Sequence, residues 1–299
     1  MSDDRTKADL TLCLMTWDPG SVATSPDAFA TALIERVRQA WDRGADLVLL
    51  PELLWMGLEP LLPEGQRHAR GVAQSLQQDL LPRLQRELGT EHKAVLLGSG
   101  PHALAGGELR NRAHLLLSGH CQHQDKLHLT PWESLFSPGE TLQIMNWRGW
   151  NLATLICLDI EVPELAACLR GRGVDLILCP SATETLLGVE RINRCASARA
   201  VELGCAVAVS ALTGSARSEL IDCNLGRCGL YLPSQQAFAA ELRQNLQEVR
   251  HEGCHEHWVR LPAQPLEQMR LNDQETNPAT LRAKPILTEN HNTPSQREP

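Results

Sequence analysis

Residues 152–164 read LATLICLDIEVPE. The five uncharged residues before Cys157 predict a strand that is buried on both faces of a sheet. Pro163 then opens a predicted helix, so the segment forms a strand–turn–helix unit of a layered α/β protein. A thiol at the end of such a strand is held rigidly and can still face a cleft. Free cysteines in apolar runs are more often core residues, so Cys157 needs support from elsewhere in the chain.

The composition limits the classes of protein to which the chain can belong. Its net charge of −8 argues against nucleic acid as a partner, because phosphate binding needs a basic face. No apolar run approaches the roughly 20 residues of a membrane helix, and the start MSDDRTKADL lacks a secretory signal. The sequence therefore predicts a cytoplasmic protein without a membrane partner, whose cysteines are reduced thiols.

The first part of the chain predicts a strand–helix–strand unit. A strand at 10–15 precedes a helix that is capped by Ser25 and stopped by Gly44, and a strand at 46–50 follows. Helical and strand patterns continue to alternate further along. Residues 1–270 are predicted to form one folded domain, and the polar, aperiodic residues 271–299 an extended or disordered tail.

Two further patterns concern the arrangement of the strands. Residues 112–117 and 121–126 predict a hairpin that turns at Ser-Gly. The segments ADLVLLPE at 45–52 and VDLILCPS at 174–181 resemble each other. In both, a buried strand ends at a proline, as expected for a fold that is built from two similar halves.

Three charged residues stand where catalytic groups would be expected. Glu52 ends the buried strand LVLLPE, where a carboxylate needs a partner or a chemical role. Lys126 lies in QDKLHLTPWE, and Glu133 ends that segment. Each residue taken alone has a simpler explanation, as a helix-capping carboxylate, a surface lysine or a first-turn glutamate. Only their combination with Cys157 favours a catalytic site.

The order of these motifs resembles that of the nitrilase superfamily of carbon–nitrogen hydrolases. Pro-Glu follows a buried strand, K-x-x-x-x-P-x-E comes next, and I-C-x-D-x-x-x-P-E follows. The resemblance extends from about residue 10 to residue 270 and includes CPSATET and SARAVELGCAVAVS. It implies an α/β fold, the four-layer α-β-β-α sandwich of the nitrilase type. It also implies a homodimer or higher homo-oligomer and no cofactor.

The resemblance implies a catalytic triad of Glu52, Lys126 and Cys157. Glu52 would take the thiol proton as Cys157 attacks an amide carbon, and would later activate water to hydrolyse the thioester. Lys126 and the backbone N–H of Leu158 would stabilise the negative oxygen of the tetrahedral intermediate. Glu133 would hold Lys126 in its protonated form and help to position the substrate.

The residues around the nucleophile bear on the substrate. The run Cys-Leu-Asp differs from the Cys-Trp-Glu of the nitrile-cleaving branch, which favours a small amide or an N-carbamoyl amine. Leu158, Glu161, Ser181 and Glu184 are the predicted substrate-binding residues. The two glutamates favour a substrate with a distal amine, although exposed acidic residues are more often simply solvated.

Other functions remain open at this point. The run Cys-Leu-Asp disfavours nitrile hydrolysis. Acyl transfer to an amine is disfavoured because the chain lacks the membrane helices of the family's acyltransferases. A silent scaffold homologue has no chemical reason to retain all four catalytic residues. Two His- and Cys-containing tracts, at 120–128 and 251–257, are of the kind that can bind zinc. Neither contains a C-x-x-C pair, and we predict no metal site.

Overall fold

The computed structural model describes residues 7–21, 23–90, 92–218 and 220–271. The predicted tail lies outside the described residues apart from Leu271, so the domain boundary remains a prediction. The strands in the described part are β1 (Leu10–Thr16), β2 (Leu47–Leu49), β3 (Ala94–Ala103), β4 (Leu109–Leu117), β5 (His120–Asp125), β6 (Ile144–Trp147), β7 (Trp150–Thr154), β8 (Leu176–Ser181), β9 (Ala206–Ala211), β10 (Gly229–Tyr231), β11 (Gln244–Leu246) and β12 (His255–Leu261). The α-helices are α1 (Pro26–Asp42), α2 (Ala69–Ser75), α3 (Leu81–Leu88), α4 (Pro163–Leu169), α5 (Leu186–Leu203) and α6 (Ala263–Leu271).

The described strands form two mixed sheets of six strands each. The first sheet has the order β12-β1-β2-β3-β4-β5 and the second has the order β11-β10-β9-β8-β7-β6. The strands β1, β2 and β3 run parallel, as do β7, β8 and β9, and the flanking strands are antiparallel. Together with the helices on the outer faces, this is the predicted four-layer α-β-β-α sandwich.

Alternating side chains along the central strands separate the layers. In β1, Leu12 and Leu14 belong to the core that contains the strands of the second sheet. Cys13 and Met15 point the other way, into the core that contains α1. Because successive side chains of a strand lie on opposite faces, an uninterrupted apolar run serves two cores at once. This explains why the central strands are so uniformly apolar.

The predicted limits of α1 are confirmed. The Ser25 side chain accepts a hydrogen bond from the N–H of Ala28 at 3.2 Å, and Pro26 occupies the first turn. Gly44 follows the helix with a φ of +104°. A positive φ at this point favours glycine, which is why the helix ends here and β2 can begin at once.

Other element limits differ from the sequence-based expectation. The hairpin of β4 and β5 is confirmed, and β4 begins earlier than predicted. The hairpin of β6 and β7 was not foreseen, because its outer strand is short and alternates exposed and buried residues. Helix α5 begins at Leu186, since Thr185 caps it by accepting from the Gly188 N–H. In the described part of the chain, no helix is long and apolar enough to cross a membrane.

The two similar segments become β2 and β8, which lie near the middle of their respective sheets. Each strand leads to one side of the same contact. The N–H of Ala182, which follows β8, donates a hydrogen bond of 3.0 Å to the carboxylate of Glu52, which follows β2. The ends of the two central strands therefore meet at one point between the sheets.

Gly98 fixes the backbone beside the end of β2, at an irregularity in the pairing of β3 with β4. Its φ is +68°, and an added Cβ would lie 2.3 Å from the carbonyl oxygen of Pro51. We expect Gly98→Ala to lower the free energy of unfolding by about 1–3 kcal/mol, because it combines backbone strain with overlap. Urea denaturation measures this. Gly106→Ala is the matched control, since a Cβ there meets nothing within 4 Å, and equal effects of both changes would contradict the prediction.

Candidate active site

Glu52 is a buried carboxylate that is held at the end of β2 from several directions. One oxygen, Oε2, accepts the N–H of Ala182 at 3.0 Å. The other, Oε1, accepts from Lys126 Nζ at 2.7 Å and from the side-chain amide of Asn111 at 3.1 Å. The next residue, Leu53, has a φ of +53° and donates its N–H to the Ser99 hydroxyl. The carboxylate is therefore fixed in a single orientation.

Lys126 lies buried between two carboxylates. Its Nζ is 2.7 Å from Glu52 Oε1 and 2.6 Å from Glu133 Oε2, and all three side chains are buried. Asn111 links the same two glutamates, donating to Glu133 Oε1 at 2.9 Å as well as to Glu52. The backbone N–H and the hydroxyl of Thr130 complete the environment of Glu133 at 3.0 and 3.1 Å. A charged lysine is thus retained away from bulk water.

Cys157 begins a 3₁₀ turn, Cys157–Glu161, directly after the strand segment. Its φ is +48°, a left-handed conformation that is strained for a residue with a side chain. Its Sγ lies 3.5 Å from the carbonyl oxygen of Ala182, to which the thiol donates. Ala182 therefore contacts Cys157 with its C=O and Glu52 with its N–H. The backbone of this residue therefore links the Cys157 thiol to the Glu52 carboxylate.

The charges in this cluster push the pKa values of its members apart. Burial raises the pKa of Glu52 more than Lys126 lowers it. Burial acts in the same direction on Glu133, but the charge and hydrogen bond of Lys126 outweigh it and lower its pKa. Burial also favours neutral Lys126, yet the carboxylate charges prevail and raise its pKa, so the amine stays protonated. As the pH falls, Glu52 therefore accepts a proton before Glu133, which remains ionised.

The thiol of Cys157 is protonated in the resting protein. Burial raises its pKa well above the ordinary value, and the charge of Glu52 raises it further. A neutral thiol is a weak nucleophile and needs a neighbouring base to remove its proton. Glu52 has the position and the raised pKa that this task requires.

One cavity is lined by Glu52, Lys126, Glu133 and Cys157. Its volume of about 290 Å³ is near the lower end of the range for small-molecule sites. Three of the four predicted substrate-binding residues, Leu158, Glu161 and Glu184, also line it. Ser181 is not among the lining residues. It is buried in β8, and its hydroxyl donates to the backbone carbonyl of Ser210 at 2.8 Å.

A sequence model of the family described as carbon-nitrogen hydrolase matches residues 11–243. The chain belongs to the carbon–nitrogen hydrolase family. The nitrilase-type resemblance of its motifs is thereby confirmed. The family assignment covers every residue of the buried cluster described above.

Several curated proteins of known sequence are similar to this carbon–nitrogen hydrolase. A probable hydrolase, YhcX, of Bacillus subtilis (strain 168) is 27% identical over 220 residues, which are 72% of this chain and 43% of the relative. An (R)-stereoselective amidase of a Pseudomonas species is 31% identical over 135 residues, 44% of this chain and 47% of the relative. The chain thus spans about half the length of these relatives. A deaminated glutathione amidase of a Synechocystis species is 29% identical over 197 residues, 60% of this chain and 70% of the relative.

Solved structures share the fold of this carbon–nitrogen hydrolase. A mutant of the amidase from Nesterenkonia sp. AN1 covers 88% of this chain and 97% of its own, with 22% identity and a TM-score of 0.65. In that structure, acrylamide has added to the active-site cysteine. The superfamily protein XC1258 from Xanthomonas campestris covers 94% of this chain and 100% of its own, with 18% identity and a TM-score of 0.67.

Sequence reasoning missed two residues that organise the candidate site. Asn111 bridges both glutamates from β4. It lies on the buried face of that strand, whereas Arg110 and Arg112 on either side are less buried. A polar residue on the buried face of an alternating strand is a signal that could have identified it. Ala182 contributes only backbone atoms, and no side-chain pattern reveals such a role.

Asp159 positions the nucleophile turn relative to the segment that carries Lys126. Its carboxylate accepts the backbone N–H groups of Leu127, His128 and Ile156 at 3.2, 2.8 and 3.2 Å. We expect Asp159→Asn to lower the free energy of unfolding by about 1–3 kcal/mol, because the NH2 group of the asparagine side chain would face a backbone N–H instead of accepting from it. Urea denaturation measures this loss. Asp79→Asn, at an exposed position, is the control, and an unchanged unfolding midpoint for Asp159→Asn would refute the positioning role.

The histidines and cysteines of the two tracts are not among the residues that line this cavity. No group of three or more His, Cys, Asp or Glu side chains that could hold a metal ion occurs within residues 7–21, 23–90, 92–218 and 220–271. Cys121 Sγ lies 3.8 Å from His114 Nδ1, on neighbouring strands. Burial lowers the pKa of His114 to about 3, so this imidazole is neutral and forms part of the protein interior.

Proposed function

We propose that the protein hydrolyses the C–N bond of a small amide or N-carbamoyl amine, with Cys157 as the nucleophile. The observation that carries this proposal is the connection of Cys157 to the buried Glu52–Lys126–Glu133 cluster, at one cavity. Membership of the carbon–nitrogen hydrolase family and the similarity to amidases support it. The left-handed backbone of Cys157, with a φ of +48°, is a kind of local strain that often occurs at active sites.

In the first half of the reaction, the Cys157 sulfur bonds to the amide carbon while Glu52 takes the thiol proton. The amide oxygen becomes negative. Lys126 uses two of its three N–H donors on glutamates, which leaves one for this oxygen, together with the N–H of Leu158. Glu52 then returns the proton to the leaving nitrogen. The C–N bond breaks, and ammonia or an amine departs from a thioester.

In the second half, water replaces the departed amine. Glu52 removes a proton from the water as its oxygen bonds to the thioester carbon, and Lys126 again stabilises the negative oxygen. The C–S bond breaks, the carboxylic acid leaves, and the Cys157 thiolate regains the proton from Glu52. Glu133 holds Lys126 in place throughout and stays ionised because of its lowered pKa.

Intact-protein mass spectrometry tests this proposal. The protein is incubated with a panel of small amides and N-carbamoyl amines, and ammonia release is followed in parallel. An acyl adduct that appears on the wild type and not on Cys157→Ala supports the thioester route. Ammonia release that survives in Cys157→Ala refutes it. Turnover of nitriles but not amides supports the nitrile alternative, adducts that pass to amines support acyl transfer, and an inert protein supports the scaffold alternative.

The remaining predictions from the sequence also become proposals here. Leu158, Glu161 and Glu184 line the cavity and are proposed to contact the substrate, whereas Ser181 is proposed to support the cavity wall from behind. A homodimer and a cytoplasmic location stay predictions. Sedimentation velocity at several protein concentrations tests the first, and fractionation of the source cells tests the second.

A further inference from the structure

Asn224 is a buried polar residue in the wall of the cavity, with an unused hydrogen-bond donor. Only 4% of the residue is exposed, and its Nδ2 has no hydrogen-bond partner among the described residues. The backbone around it is well held: its N–H donates to the Gly214 carbonyl at 2.7 Å, and the next N–H donates to the Thr183 carbonyl. A buried, rigidly held donor without a partner is costly, and a ligand that accepts from it removes the cost.

Arg191 provides the second donor group in this wall, and its side chain is 62% exposed, so water solvates the nitrogens that the protein leaves free. It lies in α5, and its Nε donates to Glu161 Oε2 at 3.2 Å. Its terminal nitrogens have no partner within the described part of the chain. Glu161 itself is held by Arg199, which donates to the backbone carbonyls of Ile160 and Glu161. The ion pair thus orients Arg191 while leaving the planar end of its guanidinium group free.

A ligand group that accepts hydrogen bonds and carries a negative charge would satisfy both donors. We propose that the substrate carries a carboxylate distal to the scissile amide, bound by the terminal nitrogens of Arg191 and the side-chain amide of Asn224. A guanidinium group binds carboxylates through two parallel hydrogen bonds, and a neutral amide adds a third donor. This inference rests on the proposed function and adds a substrate class to it.

The charges around the cavity separate this proposal from the distal amine that the sequence suggests. The carboxylate of Glu161 is already paired with Arg191, which offsets its charge and weakens its attraction for an amine. The start of α5 adds partial positive charge, because Thr185 and Gly188 of its first turn line the cavity. Glu184 is the opposing charge, and it lies exposed. Its negative charge weakens carboxylate binding. Solvent screens this repulsion, and it also screens the attraction of Arg191, which is exposed as well.

Three matched amides test the proposal: succinamic acid with a distal carboxylate, butyramide with no charge, and 3-aminopropionamide with an amine. We expect kcat/KM for succinamic acid to exceed that for butyramide by roughly 10- to 100-fold, as for loss of a charged hydrogen bond. Arg191→Gln and Asn224→Leu should each remove most of this preference, mainly by raising the KM for succinamic acid. Butyramide has no carboxylate for these side chains to bind, so its kcat/KM should fall much less than that of succinamic acid. Glu184→Gln should increase the preference slightly.

The control for Arg191→Gln is Arg194→Gln, the same change one turn away on α5. Arg194 is exposed, pairs with Glu190 and does not line this cavity. Asn224→Leu removes an unpaired amide and is expected to fold, which circular dichroism checks. A preference for the amine, or a succinamic acid preference that survives Arg191→Gln, overturns the proposal.

A binding measurement keeps this test separate from the proposed function. Calorimetric titration of the wild type with succinate needs no turnover. Binding that is weakened about tenfold or more by Arg191→Gln, and not by Arg194→Gln, supports the carboxylate site even if no amide is hydrolysed. Absence of succinate binding overturns the site even if butyramide is turned over in a Cys157-dependent way.

Discussion

Cys157→Ala is expected to lower kcat/KM for an accepted amide by roughly 10⁴- to 10⁶-fold, as for other covalent nucleophiles. The reason is that the acyl group then has no atom to which it can transfer. The methyl side chain should be tolerated, because it is smaller than the thiol and removes only the weak hydrogen bond from Sγ to the Ala182 carbonyl oxygen. Steady-state ammonia release measures the loss, and a thermal melt confirms that the variant is folded.

The matched control is Cys168→Ala in α4, which changes another cysteine at an exposed position. Its activity should equal that of the wild type. A loss for Cys157→Ala below about tenfold would be inconsistent with a covalent mechanism, since removal of a covalent nucleophile costs far more. An equal loss in both variants would point to general damage by the assay or the preparation.

Glu52→Gln is expected to have the second largest effect, a fall in kcat of about 10²- to 10⁴-fold through loss of the general base. The amide keeps the size of the carboxylate, and its oxygen can still accept from Lys126. Its NH2 group then faces the N–H of Ala182, which lowers the stability without removing the place beside Lys126. Glu133 still pairs with Lys126 at 2.6 Å, so the lysine stays charged and the cluster should remain folded. Acyl-adduct formation in a rapid-quench experiment measures the first chemical step directly.

The pH dependence of this reaction follows from the direction of the pKa shift. Glu52 must be ionised to accept the thiol proton, and burial raises its pKa. In the wild type, kcat/KM should therefore be low in acid and rise with pH through a midpoint above the ordinary range of a glutamic acid. Glu52→Gln should lose this rise. A midpoint at or below the ordinary value, or one that persists in the variant, would assign the base to another residue.

Glu133→Gln provides the comparison within the same cluster. Its pKa is lowered, so it is ionised throughout the range in which Glu52 titrates. The variant should lose activity because Lys126 is less firmly held, while the midpoint of the rise should still report Glu52. Different pH profiles for the two variants would separate the base from the residue that supports the lysine.

Much of the fold could be predicted from local patterns. The limits of α1 follow from Ser25, Pro26 and Gly44, since capping and a positive φ depend on a few neighbouring residues. The central strands follow from apolar runs that serve two cores. The hairpin of β6 and β7 was not predicted, because a short outer strand with exposed positions resembles a loop in sequence.

The sequence by itself determined the family and the four catalytic candidates, because each stands in a recognisable motif at or after a strand end. Only the tertiary structure decided how they act together. Asn111 is 59 residues from Glu52 and Ala182 is 130 residues away, yet both bond to its carboxylate. The opposite pKa shifts of the two glutamates arise from burial and from a shared lysine. Such effects depend on groups that are distant in the chain, and no local pattern records them.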